Sequence, residues 1–481
     1  MLPIMTRDKI DMKKMVMILA AATISALPAL ALSLELTPGS MKENVEKLRT
    51  TVDSRVTLTG STNVTDLLML RNLAEGVTAL DMSGLAIEAY TYTDGDWMGQ
   101  TEFAAGEIPA GMLLSTGVTE LTLPAEGAVT IGRSAFADTG LVTVTIPESV
   151  KSVGDYAFSD CPALTEVRFA NPGPELGKGV FKGCKSLTKV NLWEGLKEIP
   201  DATFDGCSAL NVEIPASVIS VGATAFRGTA LTEVDIRKIN NIGDYAFAEM
   251  PNLTSVTLDQ YSTKTVGQGA FAHNSALTGV PFWDVPVNDG LFAASKGPKV
   301  VMVNTETVST GAFAGNEADS VFIGPKVKTI EAHAFRNLSN LKSVSVADLG
   351  SDIPETDDNA FSGIENAEGR YDADLYVSPE TKEEWQAHPV WSKFNLRMGQ
   401  TGIDGVTPDG EVTIAVARTG NDITVTSTQA IETLAVYNVS GMKLTEAAPG
   451  SETYVVRDMT PGEVVVVRVT SGGQTKIVKV I

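Results

Sequence analysis

Few residues in this chain are of the types that carry out enzyme chemistry. Its 481 residues include three histidines and three cysteines: His273, His333, His388, Cys161, Cys184 and Cys207. The histidines are scattered, and the chain has no Cys-x-x-Cys, Gly-x-Ser-x-Gly, His-Glu-x-x-His or phosphate-loop pattern. We therefore predict no catalytic residue, no metal site and no cofactor, and we predict that the protein is not an enzyme.

Carboxylates are the most numerous side chains in this chain that could take part in catalysis. Asp and Glu number 59 against 37 Lys and Arg, for a net charge of −22. Two carboxylates can hydrolyse a glycosidic bond, so a glycan-acting enzyme is kept as a remote alternative. Asp94-Gly95-Asp96 matches only a fragment of a calcium loop, and we interpret it as a turn. The negative charge repels nucleic acid, so we expect no nucleic-acid partner.

The three cysteines are 23 residues apart, and each follows a phenylalanine by three residues. These phenylalanines belong to a series with steps of 21 to 26 residues: Phe136, Phe158, Phe181, Phe204, Phe226, Phe247, Phe271, Phe292, Phe313, Phe335 and Phe361. A fixed period of this length indicates a solenoid of stacked coils. The cysteines then form one column, as small buried hydrophobic residues or, alternatively, as a disulfide between adjacent coils.

One repeat, residues 146–169, shows how a coil is built. Leu164–Phe169 has the alternating pattern of a strand, Ser149–Val153 predicts a second short strand, and Asp155–Ser159 predicts a short helical turn. Gly154 precedes that turn, where a positive φ would favour glycine. We predict a mainly β solenoid of about 12 coils of 21–24 residues with short helical turns, followed by a C-terminal β-sandwich.

Changes in pattern divide the chain into segments. Residues 1–31 have the features of a signal peptide, with cleavage between Ala31 and Leu32 and Met12 as an alternative start. Residues 32–106 predict an N-terminal cap and loop, and residues 107–397 predict the solenoid with its closing segment. Residues 398–410 are interpreted as a linker, and residues 411–481 as the sandwich. No other stretch is long and apolar enough to predict a transmembrane segment.

The segment SVKSVGDYAFSDCPALTEVRF (149–169) and its later copies resemble the BspA-like leucine-rich repeat proteins of Bacteroidetes-type bacteria. The resemblance includes the cap RVTLTGSTNVTDLLMLRNLAEGVTALDMSG and the closing segment ADLYVSPETKEEWQAHPVWSKF. It implies a secreted or cell-surface protein that binds a macromolecule without a cofactor. VYNVSGMKL, PGEVVVVRV and the ending KIVKVI are similar to type IX secretion sorting domains.

Two surfaces are candidates for binding. The first is the outward face of the main sheet, with candidate residues Glu166, Arg168, Lys189, Asn191, Glu233 and Asp235. Other outward positions of the same pattern are Thr143, Thr145, Asn211, Glu213, Ser255, Thr257, Ser343 and Ser345. The second is a loop with Tyr90, Tyr92 and Trp97, because exposed aromatic residues concentrate at interfaces. Each surface also has a plain structural interpretation, as a solvated sheet face or as a loop folded over the cap.

These observations favour a secreted or outer-surface bacterial protein that mediates adhesin-like binding to a protein or glycoprotein. A structural component of a surface assembly, without a specific ligand, is the alternative. Homotypic assembly in the absence of any ligand would distinguish the second from the first.

Overall fold

Short strands and turns follow one another along the chain and stack into a β-solenoid of about 14 turns. The computed structural model describes residues 32–50, 55–73, 76–257, 265–278, 288–297, 300–346, 353–377, 381–398, 414–419, 421–438, 443–460, 465–471 and 474–480. The predicted signal segment, including Ala31, and residues 399–410 of the predicted linker lie outside the described residues.

The helices and strands follow in chain order. The N-terminal segment contains β1 (Leu32–Leu36), α1 (Met41–Thr50), β2 (Arg55–Thr62), α2 (Val64–Leu73) and β3 (Ala79–Ile87). It is followed by β4 (Tyr90–Thr91), β5 (Glu102–Phe103), β6 (Glu107–Ile108), β7 (Glu120–Thr122), β8 (Val129–Ile131), β9 (Thr143–Ile146), β10 (Val150–Val153), β11 (Glu166–Phe169), β12 (Glu175–Leu176), β13 (Lys189–Asn191) and β14 (Glu198–Ile199).

The second half of the solenoid has the same kind of strands: β15 (Ser220–Val221), β16 (Glu233–Asp235), β17 (Asn241–Ile242), β18 (Ser255–Thr257), β19 (Thr265–Val266), β20 (Val300–Val303), β21 (Thr307–Val308), β22 (Ser320–Ile323), β23 (Thr329–Ile330), β24 (Ser343–Val346) and β25 (Glu355–Thr356). It closes with β26 (Asp374–Val377), α3 (Lys382–Ala387), a 3-10 helix (Trp391–Lys393) and β27 (Asn395–Met398). The C-terminal strands are β28 (Ile414–Thr419), β29 (Asp422–Ser427), β30 (Ile431–Asn438), β31 (Lys443–Ala447), β32 (Thr453–Val456), β33 (Val465–Ser471) and β34 (Gln474–Val480).

The phenylalanine series forms the spine of the core, as the spacing predicts. Neighbouring rings are stacked with centroids 5.0 to 5.8 Å apart along the whole series. All are at most 1 % exposed. Each coil leaves its apolar face open, and stacking on the next coil buries it.

The strands form parallel ladders along this spine. The first ladder sheet has the order β1-β2-β3-β7-β9-β11-β13, and the second ladder sheet has the order β20-β22-β24-β26-β27. The cap and the closing segment therefore extend the ladders instead of only covering their ends. This is why the solenoid has more turns than the phenylalanine series predicts.

The turn that carries each phenylalanine differs from the helical turn that the sequence predicts. Residues 155–159 form a run of hydrogen-bonded turns, with Tyr156 at φ 56°. Gly154 does not have the positive φ that we expected. A Cβ at Gly154 would lie 2.8 Å from the carbonyl oxygen of Ile131 in the preceding coil, so this glycine permits close stacking of coils.

The C-terminal strands form two antiparallel sheets with the orders β28-β29-β32 and β31-β30-β33-β34. Their facing side chains share one apolar core that includes Ile423, Leu434, Val456 and Val467. This arrangement is the β-sandwich predicted from the alternating runs of this segment.

Candidate binding face and its surroundings

Strand alternation defines the outward face of the first ladder sheet. Val167 and Phe169 of β11 are buried in the core, so Glu166 and Arg168 point to the other side. Parallel pairing places Lys189 of β13 beside Glu166, and Asn191 beside Arg168. These four predicted residues therefore form one group, which we call the first patch.

The charges of the first patch are partly neutralised within the patch. Nε and Nη2 of Arg168 donate to the two carboxylate oxygens of Glu166 at 3.0 and 2.9 Å. Both residues lie on one strand, so this ion pair joins two neighbouring outward positions of β11. No ion pair to Lys189 occurs within the described residues, and this exposed ammonium is the free cation of the patch.

Asn191 has a structural role that the sequence did not indicate. Its Oδ1 accepts the backbone N–H of Phe169 at 2.7 Å, and its Nδ2 donates to the Phe169 carbonyl at 2.9 Å. The side-chain amide therefore pairs with the end of β11 in place of a backbone neighbour. It is held by these bonds and contributes little freedom to contact a partner.

Glu233 and Asp235 do not share a sheet with the first patch. They lie on β16, which pairs only with β18 in a two-stranded sheet. Asp235 accepts from the Arg237 side chain, with the shortest distance 2.6 Å. The six predicted residues are therefore two groups, and the strand slot between them is occupied by residues 211–213, which are not a strand.

A groove lies on the face at this interruption. It has a volume of about 470 Å³ and is open to solvent. Its walls come from three successive coils: Glu166, Val167, Arg168, Thr188, Lys189, Val190, Asn191, Asn211, Val212 and Glu213. All four residues of the first patch line it, so the groove coincides with the predicted face.

The outward face of the second ladder sheet is covered by the sandwich, which the sequence did not predict. Ser343 and Ser345, expected to be exposed, are 4 % and 5 % exposed. Met302 packs with Tyr437 and Val466 of the sandwich. The apolar Met302 and Phe322 at outward positions of β20 and β22 were the available signal for this contact.

A charged pair accompanies that apolar contact. Arg468 of β33 donates to Asp319 at 2.8 Å, and the side chains are 19 % and 15 % exposed. Burial raises the pKa of Tyr437, and the charge of Asp319 raises it further. The sandwich therefore sits on the solenoid through specific polar contacts as well as apolar ones.

The aromatic loop packs against the cap. Tyr90, Tyr92 and Trp97 are half-buried against a cluster that contains Phe103 and Leu68 of α2. The Trp97 indole donates to the Ala110 carbonyl at 2.7 Å, and burial raises the pKa of Tyr92. The three predicted binding residues of this loop are therefore packed against the cap, as the structural interpretation expects. Met98 at the tip of the loop is 67 % exposed.

The cysteines are free, buried and stacked in successive coils. The thiols donate to carbonyls of the preceding coil: Cys161 to Phe136, Cys184 to Phe158 and Cys207 to Phe181. Burial raises the pKa of Cys207 to about 12. These thiols satisfy backbone carbonyls next to the phenylalanine spine, which accounts for their periodic placement.

The histidines lie apart in the fold, as their sequence positions suggested. His333 Nδ1 contacts Ser362 Oγ at 3.1 Å, and burial lowers the pKa of His388. Within the described ranges, no group of three or more His, Cys, Asp or Glu side chains could hold a metal ion. None of the helices in those ranges has the length and apolar character needed to cross a membrane.

Comparison with known proteins identifies the repeats. A model of the BspA type leucine rich repeat region matches in six copies, over residues 106–212, 197–288 and 306–369. These ranges together span just over half of the 481 residues. No curated protein matches the sequence.

Three solved structures are similar to this chain. A leucine-rich repeat protein from Bacteroides ovatus is 19% identical, with a TM-score of 0.48, over 71% of this chain and 84% of that one. A leucine rich cell surface protein from Faecalibacterium prausnitzii is 21% identical, with a TM-score of 0.34, over 66% of this chain and 95% of that one. The pneumococcal vaccine antigen PcpA is 15% identical, with a TM-score of 0.37, over 77% of this chain and 88% of that one.

Proposed function

Because the chain belongs to the BspA-type leucine-rich repeat family, we propose that it is a secreted or cell-surface protein that binds other proteins, in the manner of an adhesin. The observation that carries this proposal is the first patch on the outward face of the first ladder sheet. Glu166 and Arg168 project from β11, which pairs with strands on both sides, and Lys189 and Asn191 project from β13, which pairs with β11. A surface ordered in advance loses little conformational entropy when a partner binds.

The chemistry of the patch favours a polar partner with charges of both signs. Glu166 and Arg168 form an exposed pair, and Lys189 adds a cation without an ion-pair partner in the described residues. Charges at the surface raise the association rate and the specificity more than the affinity. Binding should therefore weaken as salt rises, because exposed charges are screened over about 8 Å at physiological ionic strength.

Charge reversal of the patch tests the proposal. The variant Arg168→Glu/Lys189→Glu would be compared with the wild type for binding to immobilised mucins and extracellular-matrix proteins. Lys178→Glu/Lys328→Glu is the matched control, because it reverses two exposed cations that lie outside the patch. We expect the patch variant to lose at least about tenfold in affinity, or about 1.4 kcal/mol, while the control binds normally.

Two further measurements complete this experiment: the melting temperature of each variant, and binding by a variant of the competing aromatic loop. Both double variants should melt close to the wild type, since exposed ion pairs contribute about 0–1 kcal/mol. If the patch variant binds normally while Tyr90→Ala/Met98→Ala abolishes binding, the contact surface is the aromatic loop. If neither variant affects a demonstrated interaction, the proposed use of the outward face is wrong.

We assign the two ends of the chain to delivery and placement. The signal-like residues 1–31 support secretion, and mass spectrometry of the protein from its native host should find a chain that begins at Leu32. The resemblance of residues 411–481 to sorting domains supports a role in final placement. A chain truncated after residue 405 that still reaches the cell surface in normal amounts would contradict that role.

A further inference from the structure

One coil of the solenoid is a residue short. In the coils of β11, β13, β16 and β18, the buried leucine precedes the buried strand valine by three residues: Leu164 and Val167, Leu187 and Val190, Leu231 and Val234, Leu253 and Val256. In the coil between β13 and β16, Leu210 precedes Val212 by only two. The missing residue is the one that follows leucine, which is threonine in the other four coils.

That threonine normally joins one coil to the next. The Thr165 hydroxyl donates to the Val142 carbonyl at 3.0 Å, the Thr188 hydroxyl to the Thr165 carbonyl at 3.2 Å, and the Thr254 hydroxyl to the Thr232 carbonyl at 2.9 Å. The backbone N–H of each also donates to the same carbonyl. Both bonds are missing where the residue is absent, so the Thr188 carbonyl accepts no hydrogen bond from any described residue.

The short coil therefore leaves the ladder without a strand. Residues 211–213 make no hydrogen bond with other residues that the structure describes, and Val212 is half-buried where Val190 and Val234 are buried. The first ladder sheet ends at β13, and pairing resumes only at β16. An interrupted ladder presents backbone N–H and C=O groups that can pair with another extended chain.

The groove of about 470 Å³ lies at this break. That volume falls in the range of roughly 300–1,000 Å³ that is usual for ligand sites. Among its charged residues, Arg168 is engaged by Glu166, whereas Lys189 and Glu213 are exposed and have no ion pair within the described part of the chain. The groove thus offers one cation, one anion and a stretch of unpaired backbone.

We infer that the break, which comprises Thr188–Asn191 and Asn211–Glu213, is a binding site for an extended peptide segment of a partner protein. The segment lies in the groove and pairs through its backbone with the backbone groups that Thr188 and residues 211–213 leave unpaired within the described part of the chain. It places an acidic side chain next to Lys189 and a basic one next to Glu213. An extended backbone is the ligand that fits, because it repeats donors and acceptors with the period of a strand. This inference rests on the proposed function and gives the class of partner for the same face.

Restoring the missing residue is the direct test. Insertion of Thr between Leu210 and Asn211 should return the coil to register, raise the melting temperature and remove the groove. The control is insertion of Thr between Asp94 and Gly95, an exposed site outside the face. The probe is a phage-displayed library of random short peptides, selected on the wild-type protein. We expect selected peptides to lose at least about tenfold in affinity, about 1.4 kcal/mol, on the Leu210–Asn211 insertion and to bind the control normally.

Two substitutions keep the test decisive if the repaired coil does not fold. Lys189→Ala and Glu213→Ala change only exposed side chains, and each should weaken the selected peptides severalfold with an unchanged melting temperature. Recovery of no peptide, or of peptides that bind the insertion and both alanine variants as tightly as the wild type, would overturn the inference.

The proposed function can survive the failure of this inference. If Arg168→Glu/Lys189→Glu loses a mucin or matrix protein that the Leu210–Asn211 insertion still binds, the first patch binds that protein without the unpaired backbone of the break. If both variants bind that protein normally, the face itself is not the contact surface, and the two proposals fail together.

Discussion

Replacement of Phe204 by alanine should destabilise the solenoid strongly at one place. The Phe204 ring is fully buried between Phe181, with centroids 5.8 Å apart, and Phe226, at 5.5 Å. A buried phenylalanine removes about 150–250 Å² from water. At about 25 cal/mol per Å², this burial contributes roughly 4–6 kcal/mol. Alanine keeps part of this burial and leaves a cavity, so we expect a loss of about 3–5 kcal/mol.

The stacked rings predict that this loss is shared with the neighbouring coils. Each aromatic pair contributes about 0.5–1.5 kcal/mol beyond its buried area. A double-mutant cycle of Phe181→Ala and Phe204→Ala should therefore show a coupling of about that size. Hydrogen exchange should show the largest loss of protection in the coils on either side of Phe204, because a solenoid is coupled through nearest neighbours.

The measurement is denaturant unfolding of the full chain, with Ile219→Ala as the control. Ile219 is in the next coil but is 44 % exposed, so its truncation should change the stability by no more than about 0.5 kcal/mol. A loss below about 1 kcal/mol for Phe204→Ala, or a loss equal to that of the control, would refute the interpretation that the phenylalanine series stabilises the core.

Three further predictions concern polar and ionisable groups. Asp205→Asn should lower the free energy of unfolding by about 1–3 kcal/mol, because the 5 % exposed Asp205 carboxylate joins two cations of adjacent coils. Asp201→Asn is the control, because it weakens an exposed ion pair, and it should lower the free energy of unfolding by less than about 1 kcal/mol. Burial raises the pKa of the Cys207 thiol to about 12, above the ordinary cysteine pKa of about 8.5. The free energy of unfolding should therefore fall as the pH rises from the ordinary value towards the folded one, and a flat profile would contradict the burial of this thiol. Arg468→Asp should release the sandwich from the solenoid, which small-angle scattering would show as a larger radius of gyration. The combined exchange Asp319→Arg/Arg468→Asp should restore the compact form. An unchanged radius of gyration in the single variant would show that this ion pair does not hold the contact.

The sequence alone determined the features of this protein that depend on local periodicity. The phenylalanine series predicted the stacked spine, because each coil repeats one local pattern and buries it against an identical neighbour. The sequence pattern predicts helices at Met41–Thr51 and Asn63–Leu73, and the structure has helices at Met41–Thr50 and Val64–Leu73. The alternation in Glu166–Phe169 identified which side chains of a strand point outward.

Only the tertiary structure decided what those outward side chains meet. Asn191 is bound to the backbone of Phe169, Ser343 lies beneath the sandwich, and Glu233 is separated from Lys189 by an interruption of the ladder. The absence of a residue after Leu210 can be read from the sequence, but its effect depends on hydrogen bonds between coils more than 20 residues apart. Strand alternation determines the side of the sheet on which a residue lies, whereas contacts between distant segments determine whether that side is exposed, paired or covered.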